Sequence, residues 1–301
     1  MSWPTFQQLR YLVAIADNGT FAAAAEQEFV TQPALSAQIK ELEKKMGVVL
    51  LERSPRGVML TAQGARVVER ARIVLRDMDD LVRASALDGD TLRGRIEMGI
   101  IPTLAPYVLP EVVRTFTGRH PEAQLHIREV QTSHLLEDLR RGTIDFGVLA
   151  LPVAPGEFAT ATIGEDHFVL AVPSSHRLAK GKGPVTLQVL EDERVILLEE
   201  GHCLRDQAAE VCRLAVSEPS EIQATSMSAL AQMVAAGLGI TLLPECARAL
   251  EAGPGRGVVT RTFAGRAPSR TIGLVWRKST PHATIFDDFA GALRKSRVVG
   301  K

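Results

Sequence analysis

The feature that most constrains the fold is a change of residue pattern at a Gly- and Asp-bearing stretch, ALDGDTLRG, around residues 86–94. Before this stretch, apolar residues recur at helical spacing. After it, short apolar runs such as GRIEMGII, IDFGVLAL and TIGLVW alternate with helical segments. Alternating strands and helices are typical of an α/β architecture with parallel sheets. A chain of 301 residues has room for about two domains, so we predict a hinge between domains here.

The stretch before the hinge has the pattern of three helices. Residues 5–17 carry an apolar stripe that ends at Asn18-Gly19. Thr20 is a suitable N-cap for the Ala-rich segment that follows, and Thr31 is a suitable N-cap for a third helix. Two short helices, a tight connection and a third helix with a polar start predict a helix-turn-helix. The predicted stripes consist of Phe6, Leu9, Leu12, Val13 and Ala16 in the first helix and Leu35, Ile39, Leu42 and Met46 in the third.

The segment VVLLERSPRGVMLTAQG predicts a wing beside these helices, because two short apolar runs flank a basic tip between Arg53 and Gly57. A long helical pattern then runs from Thr61 to about Leu87, with an apolar stripe between Val67 and Leu81. An extended amphipathic helix outside a domain core needs a partner, and a second copy of itself is the simplest one. We therefore predict a homodimer or a homotetramer.

Composition and charge narrow the class of protein. The chain has 35 Lys and Arg against 35 Asp and Glu, which excludes a strongly basic protein but not a local basic surface. No apolar run is long enough to span a bilayer, and the start MSWPTFQQLR lacks the pattern of a signal peptide. Three cysteines, few and odd in number, favour the reducing cytoplasm, so we predict a cytoplasmic protein without membrane partners.

The residues themselves resemble one family. The stretch LRYLVAIADNGTFAAAAEQEFVTQPALSAQIKELEKKMGVVLLER, with the later LTAQG, resembles the signature of the LysR-type transcriptional regulators. The resemblance to this family covers the whole chain, and the half after the hinge is similar to the hydrogen-peroxide-sensing members. The motifs that carry this similarity are IPT at 101–103, VQT at 130–132, LLEEGHCLRDQAAEVC at 197–212, MVAAGLGITLLP at 233–244 and RTIGL at 270–274.

The resemblance implies a fold and a division of the chain. We expect an N-terminal winged helix-turn-helix with a long linker helix, followed by a two-lobed α/β regulatory domain like the periplasmic binding proteins. The predicted segments are residues 1–61, 62–93 and 94–301, the last with lobes of approximately 94–166 plus 272–301 and 167–271.

The start of the third helix has the side chains that read DNA. Short polar residues near the N-terminus of a recognition helix reach base edges in the major groove, and arginines on a wing suit phosphates or the minor groove. Binding by a chain without net charge is expected if the acidic residues lie mainly outside this part. The predicted DNA-binding residues are Thr31, Gln32, Pro33, Ser36, Gln38, Arg53 and Arg56.

Two of the three cysteines lie in GHCLRDQAAEVC, nine positions apart. Cys203 is predicted at or just before a helix N-terminus, where the thiol pKa falls and the thiolate can attack peroxide to give a sulfenic acid. Cys212 is the nearest thiol in sequence that can condense with it. If residues 203–212 form one helix, the two Cα atoms lie about 13 Å apart, whereas a disulfide requires about 7 Å or less. Oxidation would then force the segment to refold.

Further site residues follow from the resemblance. In the peroxide-sensing members the threonines of IPT and VQT, the His before the cysteine and the Arg of RTIGL line the peroxide pocket, which corresponds here to Thr103, Thr132, His202 and Arg270. Each also has a structural interpretation. The threonines can cap helices, His202 can be a solvated turn residue, and Arg270 can be a surface partner for an acid.

Three functions remain open from the sequence. The favoured one is a transcription activator of oxidative-stress genes that senses hydrogen peroxide. The second is a LysR-type regulator that binds a small effector between its lobes, with incidental cysteines. A thiol peroxidase or disulfide oxidoreductase ranks last, because no CxxC motif is present. Cys246 has the context of a buried apolar residue.

The expected partners follow from the favoured function. They are double-stranded DNA with a pseudo-palindromic operator, hydrogen peroxide, a second copy of the chain, RNA polymerase and a thiol reductant. We predict no enzymatic turnover, no cofactor and no metal, since neither CxxC pairs nor clustered histidines accompany the thiols.

Overall fold

The computed structural model describes residues 3–54, 57–85, 91–154, 156–181, 183–191, 193–214, 219–265, 267–296 and 298–299. The chain divides into two compact units, Met1–Leu87 and Asp88–Lys301. Among the described residues, the N-terminal unit has one apolar core and the C-terminal unit has two. Most of the predicted hinge, residues 86–90, lies outside the described residues.

The N-terminal unit is a winged helix-turn-helix followed by a long helix. Its elements are α1 (Phe6–Asn18), α2 (Phe21–Gln27), α3 (Gln32–Met46), β1 (Leu51–Ser54), β2 (Gly57–Leu60) and α4 (Ala62–Ser85). Strands β1 and β2 pair antiparallel as the predicted wing. Its tip residues Pro55 and Arg56 lie outside the described residues, as does the end of the predicted long helix at Leu87.

Local signals set the helix boundaries in this unit. Helix α1 begins with a capping box between Thr5 and Gln8, and it ends at Gly19, whose φ of +68° suits a residue without a Cβ. The Thr20 hydroxyl caps α2 by accepting a hydrogen bond from the Ala23 amide at 3.2 Å. Thr31 occupies the predicted N-cap position of α3 but makes no side-chain capping bond.

The core of the N-terminal unit agrees with the predicted stripes except at their ends. Leu12, Leu35, Ile39 and Leu42 are buried as predicted. The predictions for Phe6 and Met46 are wrong, since both are exposed by more than a third. Both residues are the terminal residues of their helices, where the apolar stripe has already run past the edge of the small core. Tyr11 and Ile15 take inward positions in α1 instead.

Helix α4 buries one part of its apolar stripe and exposes another. Val68 and Ala71 are buried within the unit, whereas Val74, Met78 and Leu81 are 46%, 41% and 63% exposed. Exposed apolar residues at helical spacing mark a surface that another molecule can cover.

The C-terminal unit alternates strands and helices, which confirms the predicted α/β fold class. Its strands are β3 (Gly94–Ile100), β4 (Ala123–Glu129), β5 (Phe146–Leu151), β6 (Phe158–Pro173), β7 (Val195–Leu198), β8 (Pro219–Ala224), β9 (Thr241–Pro244), β10 (Val258–Arg261) and β11 (Ser269–Arg277). Its helices are α5 (Ala105–Arg119), α6 (Thr132–Arg141), α7 (Cys203–Leu214), α8 (Met227–Ala235), α9 (Glu245–Glu251) and α10 (Ala283–Ser296).

The long strand β6 belongs to both lobes of this unit. Its first part pairs with β11 up to His167, and from Phe168 onward it pairs with β9 and β10. Lobe I, formed by β3–β5, α5, α6, α10 and most of β11, surrounds one apolar core. Lobe II, formed by β7–β10 and α7–α9, surrounds the other.

The prediction of parallel sheets is only partly right. Strand β3 pairs parallel with β4 and β5, and β7 pairs parallel with β8. Strand β11 pairs antiparallel with β5 and β6, because it returns from lobe II against the direction of the outgoing β6. Strands β8 and β10 were not predicted from the sequence, because both are short and carry polar residues.

None of the described helices combines the length and apolar character needed to cross a membrane.

Thr20 caps its helix through a side-chain hydrogen bond and Thr31 does not, so we predict that their alanine variants differ in stability. Thr20→Ala removes the hydroxyl that caps α2 and should lower the free energy of unfolding of the N-terminal unit by about 1 kcal/mol. Thr31→Ala is the matched control, because Thr31 makes no capping bond. Denaturant titration of the two variants measures the difference, and equal losses in both would contradict the capping assignment.

Candidate functional site

Helix α7 carries two of the three thiols, one near each end. Strand β7 leads through Gly201 into α7, of which Cys203 is the first residue, as predicted. Gly201 has φ +95°, a backbone conformation that favours glycine, and a Cβ on it would lie 2.8 Å from the Gln131 Oε1 atom, so the Gln131 side chain would have to shift. Cys203 is half-buried against the lobe I core, whereas Cys212 is fully buried in the lobe II core. All three thiols are free in this state.

The helix separates the two thiols beyond the reach of a disulfide. Both cysteines lie within the 12 residues of α7. Nine residues of helix place their Cα atoms about 13 Å apart at 1.5 Å of rise per residue. A disulfide requires Cα atoms within about 7 Å, so a bond between them is incompatible with an intact α7.

Cys212 and Cys246 both have thiol pKa values raised above the usual range. Burial in the lobe II core raises the pKa of the Cys212 thiol to about 11. Burial, and then the neighbouring Asp166 carboxylate, raise the pKa of the Cys246 thiol well above its usual range. Both groups are therefore protonated at neutral pH, and protonated thiols are poor nucleophiles.

Arg270 lies at the centre of a buried polar cluster. Its side chain and that of Asp166 are both fully buried, and the guanidinium donates to Asp166 Oδ2 from Nε at 3.1 Å and from Nη2 at 2.9 Å. Nη1 donates to Thr103 Oγ1 at 3.0 Å, and Nη2 donates to the Thr103 carbonyl oxygen at 3.1 Å. The interpretation of Arg270 as a surface partner for an acid is therefore wrong about the position, because Arg270 does pair with an acid but is buried.

Cys246 also belongs to this cluster, which the sequence analysis missed. Its backbone N–H donates to Asp166 Oδ1 at 3.1 Å, and its sulfur lies 3.7 Å from Arg270 Nη2. Asp166 was missed as well. Asp166 lies directly opposite Arg270 in the β6–β11 register, and this pairing would identify it. The register cannot be read from the sequence, because it is known only once the two strands are paired.

A cleft between the lobes brings together two of the four predicted pocket residues. Its volume is about 330 Å³, and Thr103 and His202 both line it. His202 is buried, which contradicts its interpretation as a solvated turn residue. Arg270 reaches the cleft through Thr103. The remaining lining residues are Pro102, Pro106, Tyr107, Glu129, Gln131, Leu198, Glu199, Thr225, Ser226, Met227 and Ser228.

The fourth predicted pocket residue, Thr132, is not among the described residues that line this cleft. It is the half-buried first residue of α6, and its neighbour Gln131 is both the N-cap of that helix and a lining residue. Neither threonine is an N-cap, since Leu104 holds that position in α5.

A second polar cluster joins the lobes beside the cleft and was also missed. Tyr107 of α5 donates a hydrogen bond to Glu251 Oε1 at 2.7 Å, and Ser228 of α8 donates to the same oxygen at 3.0 Å. Burial and then this bond raise the pKa of the Tyr107 phenol above its usual range. Tyr107 packs against both lobe cores, so the cluster ties α5 to lobe II.

The predicted DNA-reading residues at the start of α3 are exposed, and those further along the helix are half-buried. Thr31, Gln32 and Pro33 are exposed, and Ser36 is half-buried. Gln38 is half-buried and accepts a hydrogen bond from Gln8 at 3.1 Å, so its side chain takes part in the fold. The backbone of Arg53 lies in β1, and Arg56 lies outside the described residues.

Most acidic residues lie outside the N-terminal unit, but the unit itself carries no marked excess of basic residues. Residues 1–87 contain 11 Lys and Arg and 10 Asp and Glu. Within α3, the first turn carries no acidic residue, and Lys44 and Lys45 lie in the last turn beside Glu43. Affinity for an anion therefore depends on where the charges lie within the unit.

Both units match models of a single family. Residues 6–65 match the bacterial regulatory helix-turn-helix protein of the lysR family, and residues 89–297 match the LysR substrate binding domain. A probable hydrogen peroxide-inducible genes activator from Mycobacterium leprae is 39% identical over 289 residues, which cover 95% of this chain and 92% of that protein.

Solved structures give the same family. A full-length OxyR cysteine variant from Pseudomonas aeruginosa is 30% identical with a TM-score of 0.81, covering 98% of this chain and 96% of that one. A hydrogen-peroxide-bound OxyR mutant from Corynebacterium glutamicum is 35% identical with a TM-score of 0.66, covering 98% and 95%. The winged helix-turn-helix, the two-lobed regulatory unit and these matches together show that the chain belongs to the LysR family of transcription regulators.

Proposed function

We propose that this chain is a cytoplasmic transcription regulator that senses hydrogen peroxide by oxidation of Cys203 and disulfide formation with Cys212, and thereby activates oxidative-stress genes. The observation that carries the proposal is the position of the two thiols near opposite ends of one intact helix. Relatives named as peroxide-inducible activators support it. The protein acts as a stoichiometric sensor rather than as an enzyme.

The chemistry begins at Cys203, which combines partial exposure with a helix N-terminus. The Cys203 thiolate attacks one peroxide oxygen, the O–O bond breaks, and hydroxide leaves and takes up a proton to form water. In the proposed pocket, the hydroxyls of Thr103 and Thr132 and the imidazole of His202 orient the peroxide, and Arg270 stabilises the departing charge. The product is a sulfenic acid on Cys203.

The second step converts this oxidation into a change of shape. Cys212, once released from the lobe II core and deprotonated, attacks the Cys203 sulfur and the S–O bond breaks. The departing hydroxide takes up the proton that Cys212 lost and forms water. Helix α7 cannot persist with this bond, so the residues packed against it in lobe II lose their arrangement. A thiol reductant supplies the two electrons and two protons that restore both thiols.

The proposed partners follow from the N-terminal unit. Thr31, Gln32, Pro33 and Ser36 read base edges of double-stranded DNA, and Gln38 holds the helix through Gln8. Two copies joined along α4 place two winged helix-turn-helix units on a pseudo-palindromic operator. Refolding in the regulatory unit then changes the contact with DNA and with RNA polymerase.

A crosslink between two defined thiols tests the sensing function. Stoichiometric peroxide should join Cys203 to Cys212 in the full chain, as measured by mass spectrometry of a digest. Cys203→Ser should abolish oxidation and the transcriptional response, and Cys212→Ser should stop at a trappable sulfenic acid. The matched control Cys246→Ser should behave like the parent, because its thiol pKa is raised by burial. A Cys203 thiol that stays free in excess peroxide contradicts the proposal.

Two substitutions in α3 test the DNA interface. Gln32→Ala and Ser36→Ala should each weaken operator binding by about 1–3 kcal/mol and relax discrimination between sequences. Arg56→Ala should weaken binding to every sequence and flatten its salt dependence. Fluorescence anisotropy measures both effects, with the exposed Gln124→Ala of β4 as control. Unchanged operator binding in both α3 variants overturns the assignment.

The exposed part of the α4 stripe tests assembly. Leu81→Glu places a charge on a surface that a second copy should cover, so it should shift a dimer or tetramer toward monomer at micromolar concentration. Glu69→Gln, on an exposed position of the same helix, should leave the mass unchanged. Analytical ultracentrifugation measures both, and a monomeric parent that still binds a palindrome tightly contradicts assembly through α4.

The cleft favours a second candidate function, a LysR-type regulator of a small-molecule effector with incidental cysteines. A volume of about 330 Å³ far exceeds the space for two peroxide oxygens and falls in the range of ligand pockets. Thiol titration separates the candidates. Loss of two thiols on peroxide treatment supports the sensor, and three unchanged thiols support the effector binder.

A further inference from the structure

Asp166 is the buried carboxylate that holds Arg270, and no sequence motif identifies it. It lies directly opposite Arg270 in the β6–β11 pairing, and both side chains are fully buried. Both of its oxygens are occupied, because Oδ2 accepts two guanidinium N–H groups and Oδ1 accepts the backbone N–H of Cys246. The carboxylate is therefore held from two sides.

A fully buried ion pair is a costly way to stabilise a fold. Removing two charges from water costs several kcal/mol per ion, and the mutual attraction repays this only when the geometry is favourable. Buried pairs are therefore weak evidence for stability. The role of this ion pair therefore depends on what the fixed guanidinium contacts. Here the guanidinium donates two hydrogen bonds to Thr103.

The contacts of Arg270 with Thr103 use the acceptor sites of Thr103 and leave its hydroxyl proton available as a hydrogen-bond donor. Its Oγ1 accepts from Arg270 Nη1 at 3.0 Å, and its carbonyl oxygen accepts from Nη2. Within the described part of the chain, no group accepts a bond from the Thr103 hydroxyl proton, and Thr103 lines the cleft. A hydroxyl that accepts from a guanidinium is polarised and becomes a stronger donor.

We propose that Asp166 is a positioning residue for the reaction of Cys203 with peroxide, acting through Arg270 to make the Thr103 hydroxyl a donor to the departing oxygen. This role rests on the proposed sensing function. When the Cys203 thiolate attacks, the sulfur takes one oxygen and the other leaves as hydroxide. The Thr103 O–H donates a hydrogen bond to that hydroxide, which then takes its proton from water. Asp166 touches neither the thiol nor the peroxide in this scheme.

The cluster also explains why the nearby Cys246 is not the reacting thiol. Its sulfur lies beside the same guanidinium, but the Asp166 carboxylate compensates that charge and helps raise the Cys246 pKa. The net charge of the pair is zero. Arg270 therefore acts as a fixed hydrogen-bond donor rather than as an uncompensated cation.

Two reagents separate this role from a structural one. Peroxide must expel hydroxide, which a hydrogen-bond donor assists, whereas iodoacetamide expels iodide and needs no such donor. In the full chain carrying Cys212→Ser, the additional Asp166→Asn should slow oxidation of Cys203 by peroxide about tenfold or more while changing its alkylation less than about twofold. Stopped-flow measurement of sulfenic acid formation and mass spectrometry of the alkylated thiol give the two rates.

Three further variants make the test specific. Thr103→Val should cause the same selective loss of the peroxide rate. Combining it with Asp166→Asn should add little further loss, because both substitutions act on the same donor, the Thr103 hydroxyl. Asp166→Glu should recover part of the rate. The control Asp145→Asn changes the carboxylate beside the other buried arginine, Arg277, at 3.9 Å, and should leave the ratio of the two rates unchanged.

The outcomes separate failure of the Asp166 role from failure of the proposed sensing function. Equal slowing with peroxide and iodoacetamide, or additive losses in Thr103→Val and Asp166→Asn, overturns the role of Asp166 alone. If Asp166→Asn does not fold, the selective effect of Thr103→Val and its absence in Asp145→Asn decide in the same way. If Cys203 of the Cys212→Ser parent does not react with peroxide, the sensing function itself is overturned.

Discussion

The rise of an α-helix is the constraint on which the proposed function depends. Cys203 and Cys212 lie within one helix, with about 13 Å between their Cα atoms, and a disulfide allows about 7 Å. No change of side-chain rotamer closes this gap. Formation of the bond therefore has to break backbone hydrogen bonds of α7, and a chemical event at one sulfur becomes a change in the packing of lobe II.

The surroundings of the two thiols give each one a separate role. Cys203 is accessible at the start of the helix and packs against lobe I, while Cys212 belongs to the core of lobe II and has a thiol pKa raised to about 11. In the proposed mechanism, burial suppresses premature reaction of Cys212, and the second step requires the helix to open. The Asp166, Arg270 and Thr103 cluster stands between the lobes and fixes the polar side of the cleft independently of α7.

Much of this arrangement is predictable from sequence because it is local. The start of α7 at Cys203, the caps at Thr20 and Gly19 and the wing between β1 and β2 all follow from signals within a few residues. The two-lobed α/β class follows from the alternation of strands and helices.

The rest depends on pairings between distant segments. Asp166 meets Arg270 only through the β6–β11 register, and Tyr107 meets Glu251 across 144 positions of sequence. Gln38 is predicted to contact DNA, and its hydrogen bond with Gln8 is a further contact that arises from the packing of α1 on α3. Such contacts carry no periodic signal, so hydrophobic patterns cannot reveal them.

Amide hydrogen exchange over residues 203–214 of the full chain tests the central claim most directly. The reduced protein should protect these amides, and protection should be lost in the fraction that carries the Cys203–Cys212 crosslink. Peroxide-treated Cys212→Ser should retain more protection, since its sulfenic acid imposes no new distance. Full protection of α7 in the crosslinked protein would contradict the account, because the disulfide would then coexist with the helix that separates its two sulfurs.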